Sequence, residues 1–395
     1  MIFKRGRKSA VILMLAGTCL AAGCGTVSDA GSTAEADTKA LTDIAMSIEP
    51  SPTPTLVPTP AAEPQQEPVE SPVPEEEVPN IVTITISAAG DVTLGTYRGQ
   101  DYWNSFSQVY SEAEDERYFL ANVYPVFSED DMTLVNLEGP LTLAEEADED
   151  QIYIIKGVPE YVNILTAGSV EAVSMGNNHM MDYLQQGKDD TIQLLEENDI
   201  VYACEKTVGI YETKGIRIGM ISVNEFSQGY LVEDTIQKGI AGLQEESVDL
   251  IFVSCHWGVE REYYPEDYQK LLGEKCIDWG ADLVIGHHPH VLQGIDEYKG
   301  KYIVYSLGNF CYGGNRNPPD KDSMIFQQTF TFIDGEKQED QEIRIIPCSV
   351  SSVSERNNFQ PTPAEDEEKT RIINRINEFS QEFGVQFDND GKLIK

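Results

Sequence analysis

The folded part of the chain is marked by short runs of apolar side chains, some of them alternating with polar ones. Residues 81–86 read Ile-Val-Thr-Ile-Thr-Ile, and an alternation with period two is typical of a β-strand. Seven more segments have the length and apolar character of strands. The predicted strands cover residues 81–86, 132–136, 171–175, 200–204, 216–223, 249–255, 281–285 and 301–307.

Helical patterns lie between several of these strands, for example at residues 161–167, 183–197 and 265–279. Strands that alternate with helices predict an α/β domain with a largely parallel sheet. Residues 329–333 and 342–346 are expected to add an antiparallel pair at the end of this domain. The polar segment from residue 351 to 395 is expected to be an acidic tail with a peripheral charged helix at 364–383, to which we assign no chemistry.

The charge balance excludes one class of partner. The chain has 28 Lys and Arg against 67 Asp and Glu, which gives a formal net charge of −39. Nonspecific binding to nucleic acid needs a surplus of basic side chains, so we expect no nucleic-acid partner. The seven cysteines form no Cys-x-x-Cys pair, which excludes a zinc ribbon and a disulfide-dense scaffold.

The first 23 residues have the features of a secretory signal. Four basic residues among the first eight precede an apolar run at residues 10–22, which is too short to span a bilayer. The run ends in Leu-Ala-Ala-Gly-Cys, which resembles a bacterial lipobox with Cys24 as the lipidated residue. Ala21 stands where the usual pattern has Leu. We therefore predict a lipid anchor on the extracellular face of the cell membrane; an ordinary cleaved signal is the alternative.

Residues 24–80 are expected to form an extended extracellular stalk. Ten of the 20 prolines lie between Pro50 and Pro79, and no Lys or Arg occurs between Lys39 and Arg98. Such sequence cannot bury enough apolar surface to fold. A spacer is the favoured role, and a proline-rich ligand for a partner is the alternative. The folded domain is then predicted at residues 81–350.

Polar clusters follow five of the predicted strands, and they contain every histidine in the chain. Because the carboxyl ends of parallel strands meet at one edge of a sheet, these clusters are expected to converge in one crevice. Imidazole and carboxylate ligands without thiolate suit Mn, Fe or Zn. The clusters comprise Gly90 and Asp91; Asn136 and Glu138; Asn177, Asn178 and His179; His256 and Glu260; and His287, His288 and His290.

Each cluster taken alone has a structural explanation. Asp91 could cap a turn, the asparagines could bond loop backbone, and His287 could simply be packed. Taken together, the five clusters contain all five histidines of the chain, which favours a shared metal site instead. Trp257 and Tyr305 are predicted to be packing residues, and Cys255 is expected to point into the core.

Six motifs in order resemble the bacterial capsule-synthesis CapA family, which includes poly-γ-glutamate synthesis accessory proteins. The resemblance runs from residue 81 to about residue 310, and the late strands extend it to about 350. The motifs are Gly-Asp-Val-Thr-Leu-Gly at 90–95, Asn-Leu-Glu at 136–138, Asn-Asn-His-x-x-Asp at 177–182, His-Trp-Gly-x-Glu at 256–260, Gly-His-His-Pro-His-Val at 286–291 and Tyr-Ser-Leu-Gly-Asn-Phe at 305–310.

That family is similar to the calcineurin-like metallophosphoesterases, which implies a four-layer α/β/β/α sandwich around two divalent ions. The resemblance implies that Asp91 and His290 bind the first ion and that Glu138 bridges both. The ligands it implies for the second ion are Asn178, His256 and His288. It also implies that His179 is either a residue of the shell around the ligands or a general acid near the leaving oxygen.

Two positions depart from the phosphoesterase pattern. Thr93 stands where those enzymes have a histidine two residues after the first aspartate, and Glu138 replaces a bridging aspartate. Both changes occur in the CapA pattern, so they leave the family resemblance intact and weaken the catalytic expectation. A centre with one ion is the alternative to a centre with two.

The function expected from the resemblance is support of the synthesis, export or anchoring of an anionic capsule polymer of the poly-γ-glutamate type. The expected partners are a capsule-polymer synthase complex in the membrane and the polymer itself. The alternatives are a phosphoesterase acting on cell-envelope phosphoesters or nucleotides, and a non-catalytic binding module. Because the chain is acidic, contact with an anionic polymer needs metal ions or a local basic patch, for which the sequence offers Lys299, Lys301, Arg316 and Lys321.

Overall fold

The computed structural model describes residues 78–339 and 342–394, together with the backbone of one short strand at residues 11–14. Cys24, the stalk up to residue 77 and the rest of the predicted signal lie outside the described residues. The strands are β1 (Val11–Met14), β2 (Ile81–Thr93), β3 (Thr96–Tyr97), β4 (Met132–Leu137), β5 (Ile155–Lys156), β6 (Ala172–Ser174), β7 (Val201–Ala203), β8 (Thr207–Thr213), β9 (Ile216–Asn224), β10 (Leu250–His256), β11 (Leu283–His287), β12 (Ile295–Tyr298), β13 (Lys301–Val304), β14 (Asn309–Tyr312), β15 (Asp322–Ile333), β16 (Glu336–Lys337), β17 (Glu342–Ser349) and β18 (Thr362–Pro363).

In the part of the chain that the structure describes, eight α-helices and four short 3-10 turns accompany these strands. None of the helices among the described residues is both long and apolar enough to cross a bilayer. The helices are α1 (Phe106–Ala113), α2 (Tyr124–Phe127), α3 (Val162–Ala167), α4 (Leu184–Glu197), α5 (Glu225–Gln228), α6 (Val232–Glu245), α7 (Asp267–Trp279) and α8 (Asp366–Phe379).

Two mixed sheets form the centre of the domain. The first has the strand order β1-β8-β9-β10-β11-β13-β12, and the second has the order β18-β17-β15-β2-β4-β6-β7. The central neighbours in each sheet are parallel, as in the pairs β9–β10, β10–β11, β2–β4 and β4–β6, while β15 pairs antiparallel with β2 and β17. The predicted parallel arrangement and the predicted late antiparallel pair are both confirmed.

Apolar side chains divide into three cores that correspond to the gaps between four layers. One core lies between the sheets and includes Ile86, Phe252 and Phe326. A second joins residues of α1 and α3 to the other face of the β2–β4–β6 sheet, and a third joins α6 and α7 to the outer face of the β9–β10–β11 sheet. Because each sheet is covered on both faces, its central strands are buried on both faces and mostly apolar. The predicted four-layer α/β/β/α sandwich is confirmed.

The segment after residue 350 packs against this sandwich. The predicted helix at 364–383 is present as α8, and it is followed by a 3-10 turn at Gln381–Phe383. Ile372, Ile373 and Ile376 of α8 are fully buried in the core that also fills the space between the sheets. Arg371 and Arg375 of the same helix pair with Asp320 and Asp322.

The predicted packing roles are confirmed where the structure describes them. Trp257 and Tyr305 are fully buried, and the Trp257 indole Nε1 donates to the Tyr305 carbonyl oxygen at 3.0 Å. Cys255 is buried in the core under α7, as expected from its place next to His256 on a strand. All five cysteines that the structure describes are free thiols.

Candidate metal centre

The carboxyl ends of the central strands of both sheets meet at one edge and carry the predicted site residues there. Asp91 of β2 pairs in register with Asn136 of β4, and His256 of β10 pairs with His287 of β11. The sequence pattern placed these groups just after the strands. In the structure Asp91, His256 and His287 still belong to strands. The end of β2 that contains Asp91 is paired with β4 on one side and with β14 on the other.

Gly90 allows the close approach that places Asp91. A Cβ atom at Gly90 would lie 1.9 Å from the Gly308 carbonyl oxygen, so only glycine fits there. The Asp91 backbone N–H donates to that same carbonyl at 2.9 Å. The loop that precedes β14 is thereby held against β2, beside the Asp91 carboxylate.

Asp91, Glu138 and His290 form a compact, almost fully buried triad. One potential ligand atom from each lies within 4.8 Å of the others. His290 Nδ1 lies 3.1 Å from Asp91 Oδ2, and His290 Nε2 lies 3.8 Å from Glu138 Oε1. Two carboxylates and an imidazole are ligands that suit Mn, Fe and Zn.

Asn178, His256 and His288 form a second group on the other side of Glu138. His256 Nε2 lies 2.7 Å from Asn178 Oδ1 and 3.2 Å from His288 Nδ1. The same His256 nitrogen lies 3.8 Å from Glu138 Oε1. Glu138 therefore stands between the two groups, which is where a bridging carboxylate is expected.

One oxygen of Glu138 shows that this donor set fits a cation. Glu138 Oε1 is buried and has no hydrogen-bond donor among the described residues, although His256 and His290 both face it at 3.8 Å. A buried carboxylate oxygen without a partner is costly. A divalent ion held by these residues would supply the missing interaction.

The loop that carries two of the histidines has a strained backbone. His288 has φ 96° and His290 has φ 56°, in the left-handed region that side chains other than glycine rarely adopt. The His288 N–H points to Asp91 Oδ2 at 3.4 Å, and the His290 ring Nδ1 contacts Asn309 Oδ1 at 2.9 Å. Strain of this kind concentrates at functional sites.

Burial and neighbouring charges shift the ionisation of the triad. Burial raises the pKa of Glu138 to about 7. Burial also acts to raise the pKa of Asp91, but contacts with His287 and His290 outweigh it and hold that pKa well below its usual value. Burial would lower the pKa of His290, whereas the charges of Glu138 and Asp91 raise it to about 9. Protonated His290 therefore offsets part of the carboxylate charge, and a cation that binds this triad displaces the His290 proton.

The two histidines of the second group are uncharged because they are buried. Burial lowers the pKa of His288 to about 3, and it lowers the pKa of His256 well below its usual value. Neutral imidazole is the form that binds a metal ion. The ring of Phe226 covers this group, with its centroid 4.4 Å from that of His288.

His179 is held in a dyad with Asp182. His179 Nδ1 lies 2.8 Å from Oδ2 of the fully buried Asp182, whose carboxylate also accepts the Ile155 N–H at 2.7 Å. Burial opposes the charged form of His179, but Asp182 and Glu138 raise its pKa above the usual value. Its Nε2 atom has no hydrogen-bond partner among the described residues, and His179 lines the cleft above the triad.

Several contributors were not assigned a role from the sequence. Thr93, at the position of the missing histidine, donates its hydroxyl to Glu138 Oε2 at 3.2 Å, and Asn136 Nδ2 donates to Asp91 Oδ1 at 2.9 Å. Asn309 and Asp182 belong to two of the sequence motifs, but the motifs did not predict which side chains they contact. His287 lies 3.5 Å from Asp91 and its ring nitrogens have no hydrogen-bond partner among the described residues, so the alternative of a packed histidine stands.

A cleft of about 1210 Å³ opens above the triad. His179, His290, Asn309 and Tyr312 lie at its metal-centre end. From there it extends past Arg261 to Arg371 and Arg375 of α8. A volume of this size can hold a substrate much larger than an inorganic ion.

The fold and site together define a four-layer α/β/β/α protein with a carboxylate and histidine cluster of metal-binding type. Residues 85–313 match the family described as "Bacterial capsule synthesis protein PGA_cap", which is more than half of the chain and includes the whole cluster. The chain therefore belongs to this family of capsule synthesis proteins.

Relatives named for capsule or polymer synthesis agree with this assignment. The chain is similar to "Capsule biosynthesis protein CapA" of Bacillus anthracis, with 28% identity over 62% of this chain and 63% of the relative. It is also similar to "PGA biosynthesis protein CapA" of Bacillus subtilis (strain 168), with 28% identity over 60% of this chain and 66% of the relative. The matches thus span slightly less than two thirds of either relative.

Among solved structures, the chain shares a slight likeness with a hypothetical protein from Thermus thermophilus. The TM-score is 0.41 and the sequence identity is 15%, over 67% of this chain and 99% of that one.

Proposed function

We propose that this chain supports the synthesis, export or anchoring of an anionic capsule polymer of the poly-γ-glutamate type through a divalent metal centre. The observation that carries the proposal is the buried triad of Asp91, Glu138 and His290, which lies within the family-matched residues and at the base of the large cleft. The names of the Bacillus relatives support the choice of polymer.

We assign two ions to the centre, of Mn, Fe or Zn. Asp91 and His290 would hold the first, Asn178, His256 and His288 would hold the second, and Glu138 would reach both. The support is the position of Glu138 Oε1, which is 3.8 Å from an imidazole nitrogen of each group. Thr93 supplies no ligand nitrogen, so we expect the first ion to be the more weakly bound.

Bound metal ions would lower the pKa of a coordinated water and neutralise charge on a substrate oxygen. The chain's own part in such a reaction centres on His179. Asp182 fixes the His179 ring through Nδ1 and stabilises its protonated form. That leaves a proton on Nε2, facing the cleft, available for the leaving oxygen.

The site of action in this proposal is the extracellular face of the bacterial membrane. A lipid on Cys24 would anchor the chain, the stalk of residues 24–80 would extend it, and residues 81–350 would form the working domain. This arrangement would place the cleft near a capsule-polymer synthase complex in the same membrane. The support is the signal-like N-terminus and the proline-rich segment.

Deleting the gene in the bacterium that carries it tests the proposal. We expect the amount of surface-bound anionic polymer to fall, and we expect the wild-type gene but not an Asp91→Ala variant to restore it. The membrane level of the variant is checked by immunoblot. Unchanged surface polymer in the deletion strain would refute the proposed role, and full rescue by Asp91→Ala would refute its dependence on the metal centre.

A second candidate function is hydrolysis of cell-envelope phosphoesters or nucleotides. The His179–Asp182 dyad beside the triad favours it, because a binding module does not need a positioned proton donor. Turnover of an aryl phosphate by the metal-loaded chain tests this candidate. Activity that falls by about 100-fold or more in His179→Ala would support it. Activity that stays unchanged would exclude His179 as the catalyst, and no turnover with intact metal would leave a binding role.

A further inference from the structure

Basic side chains collect in the cleft of a protein whose net charge is −39. Acidic side chains line the same cleft, namely Glu260, Asp320, Asp322 and Glu368, so its attraction for an anion depends on which of its basic groups are unpaired. The basic residues that line it are Arg261, Arg316, Lys321, Arg371 and Arg375.

The two arginines of α8 are already neutralised. Arg371 donates to both oxygens of Asp322 at 2.6 Å, and Arg375 donates to Asp320 Oδ2 at 2.8 Å and also contacts Asp322. Two arginines and two aspartates balance in charge, so this end of the cleft has a structural role.

Two more of the basic groups are also engaged by the protein itself. Arg316 Nη1 donates to the Trp103 carbonyl oxygen at 2.9 Å. Lys321 Nζ donates to the carbonyl oxygens of Ser354 and Arg356 at 2.7 and 3.1 Å. Their hydrogen bonds brace neighbouring loops.

Arg261 differs from the other four. Its side chain is exposed in the cleft, and within residues 78–339 and 342–394 it has no carboxylate within 4.0 Å and no hydrogen-bond acceptor. The preceding Glu260 lines the same cleft but forms no ion pair with it within that part of the chain. The guanidinium is therefore available to a ligand.

The backbone holds Arg261 firmly against the metal-centre loop. Its N–H donates at 2.8 Å to the carbonyl of Pro289, the residue between His288 and His290. Arg261 itself has φ 66°, a left-handed conformation that costs free energy for a residue with a side chain. The hydrogen bond to Pro289 and the strained conformation of Arg261 together fix the position of this cation relative to the metal ligands.

A half-buried tyrosine of the same cleft packs on the metal centre. The Tyr312 ring lies 5.1 Å from that of His290. Tyr312 and Arg261 line the same cleft. Arg261 therefore shares the cleft with a residue that packs on a metal ligand.

We propose that Arg261 binds an anionic group of the substrate beside the metal centre and makes the cleft selective for negatively charged chains or esters. A guanidinium pairs with carboxylate or phosphate through two parallel hydrogen bonds. The inference rests on the proposed function, since it takes this cleft to be the substrate site. It goes beyond that function by naming Arg261 as the residue that recognises the negative charge of the substrate.

Binding measurements on the full-length, metal-loaded chain test this assignment. The probes are a fluorescent γ-linked glutamate decamer, the same decamer with its carboxylates amidated, and inorganic phosphate. The variants are Arg261→Gln and Arg261→Lys, with Arg117→Gln as the matched control, because Arg117 is exposed, lies outside the cleft and pairs with Asp115. Metal content is measured for every variant.

For Arg261→Gln we expect about tenfold weaker binding of the anionic probe, the size of one lost charged hydrogen bond. Arg261→Lys is expected to lie in between, and Arg117→Gln and the binding of the amidated decamer should not change. A loss confined to the decamer assigns the subsite to carboxylates, and a loss confined to phosphate assigns it to phosphoesters.

Equal binding by Arg261→Gln and Arg117→Gln would overturn the inference, as would an equal loss for the amidated decamer. It would also be overturned if the wild-type chain bound neither anionic probe. A Glu138→Gln variant that loses metal yet keeps Arg261-dependent binding would contradict the metal part of the proposed function and leave the assignment of Arg261 standing.

Discussion

Strand β4 has an acidic residue beyond each of its ends, and the two acids resemble each other closely. Asp130 precedes the strand and Glu138 follows it. Burial raises the pKa of each to about 7. Each has one shielded carboxylate oxygen without a partner among the described residues, and each accepts a threonine hydroxyl, from Thr133 and Thr93 respectively.

The two acids differ in the side chains that surround them. Glu138 faces two imidazole nitrogens at 3.8 Å and shares its pocket with Asp91. Asp130 has the like charges of Glu171 and Asp131 nearby, which raise its pKa further, and no histidine. A perturbed carboxylate therefore marks a functional site only where other ligands converge on it.

The largest expected contrast is in metal retention. Glu138→Gln should lose at least one of the two proposed ions and bind the other more weakly, because Glu138 lies within 3.8 Å of a histidine nitrogen of each ligand group. Asp130→Asn should retain metal as the wild type does. Elemental mass spectrometry of the purified proteins measures both, and equal metal content in wild type and Glu138→Gln would contradict the bridging role.

The second contrast is in stability. The pKa of Asp130 is higher in the folded chain than in the unfolded chain. The stability that Asp130 contributes to the folded chain is therefore present at low pH and is lost as the pH rises from about 4 to about 7. Asp130→Asn should therefore raise the free energy of unfolding by about 2 kcal/mol at pH 8.

The gain from Asp130→Asn should be small at pH 4. Urea unfolding at the two pH values provides the comparison. A gain that is the same at both would show that the ionisation of Asp130 is not the cause.

A smaller contrast involves the threonine beside Glu138. Thr93→Val removes the hydroxyl that orients this carboxylate and should weaken metal affinity about tenfold, the lower end of the effect of losing such a partner. Competition with a metal chelator measures the affinity. An unchanged affinity would mean that Thr93 fills space and does not orient Glu138.

The smallest effect is expected at the matching threonine. Thr133→Val removes the 2.8 Å hydrogen bond to Asp130 and should lower the free energy of unfolding by about 1 kcal/mol, with no change in metal affinity. Urea unfolding and the same chelator competition measure the two quantities. A loss of metal affinity here would mean that the two ends of β4 are not independent.

Much of the fold could be predicted because the central strands are apolar in the way that a two-sided sheet requires. All eight predicted strands are present, and helix α4 begins within one residue of its predicted start. Helix α6 was not among the predicted elements, although Val232, Ile236, Ile240 and Leu243 are buried at helical spacing.

The convergence of the candidate residues could be predicted from the sequence, and their geometry could not. The position of polar residues near strand ends brought Asp91, Glu138 and His290 together correctly. The contact of Asn309 with His290 depends on β14 returning to β2, and no local pattern encodes such a long-range pairing. The left-handed backbone of His288 and His290 is likewise imposed by tertiary contacts.

The partner of His179 shows a signal that could have been used. Asp182 follows at a spacing of three residues, and one turn of chain brings the two side chains within 2.8 Å. By contrast, nothing in the local sequence around Asp320 and Asp322 indicates that α8, about 50 residues later, supplies both of their arginines.

The metal content of the purified full-length chain, supplied with Mn²⁺ and Zn²⁺ during expression, tests the central claim most directly. Elemental mass spectrometry should find two divalent ions per chain, with one of them lost first on dialysis against a chelator because Thr93 gives the first site no nitrogen ligand. A chain that contains no bound metal would contradict the account of this site, and a single tightly held ion would contradict the assignment of two.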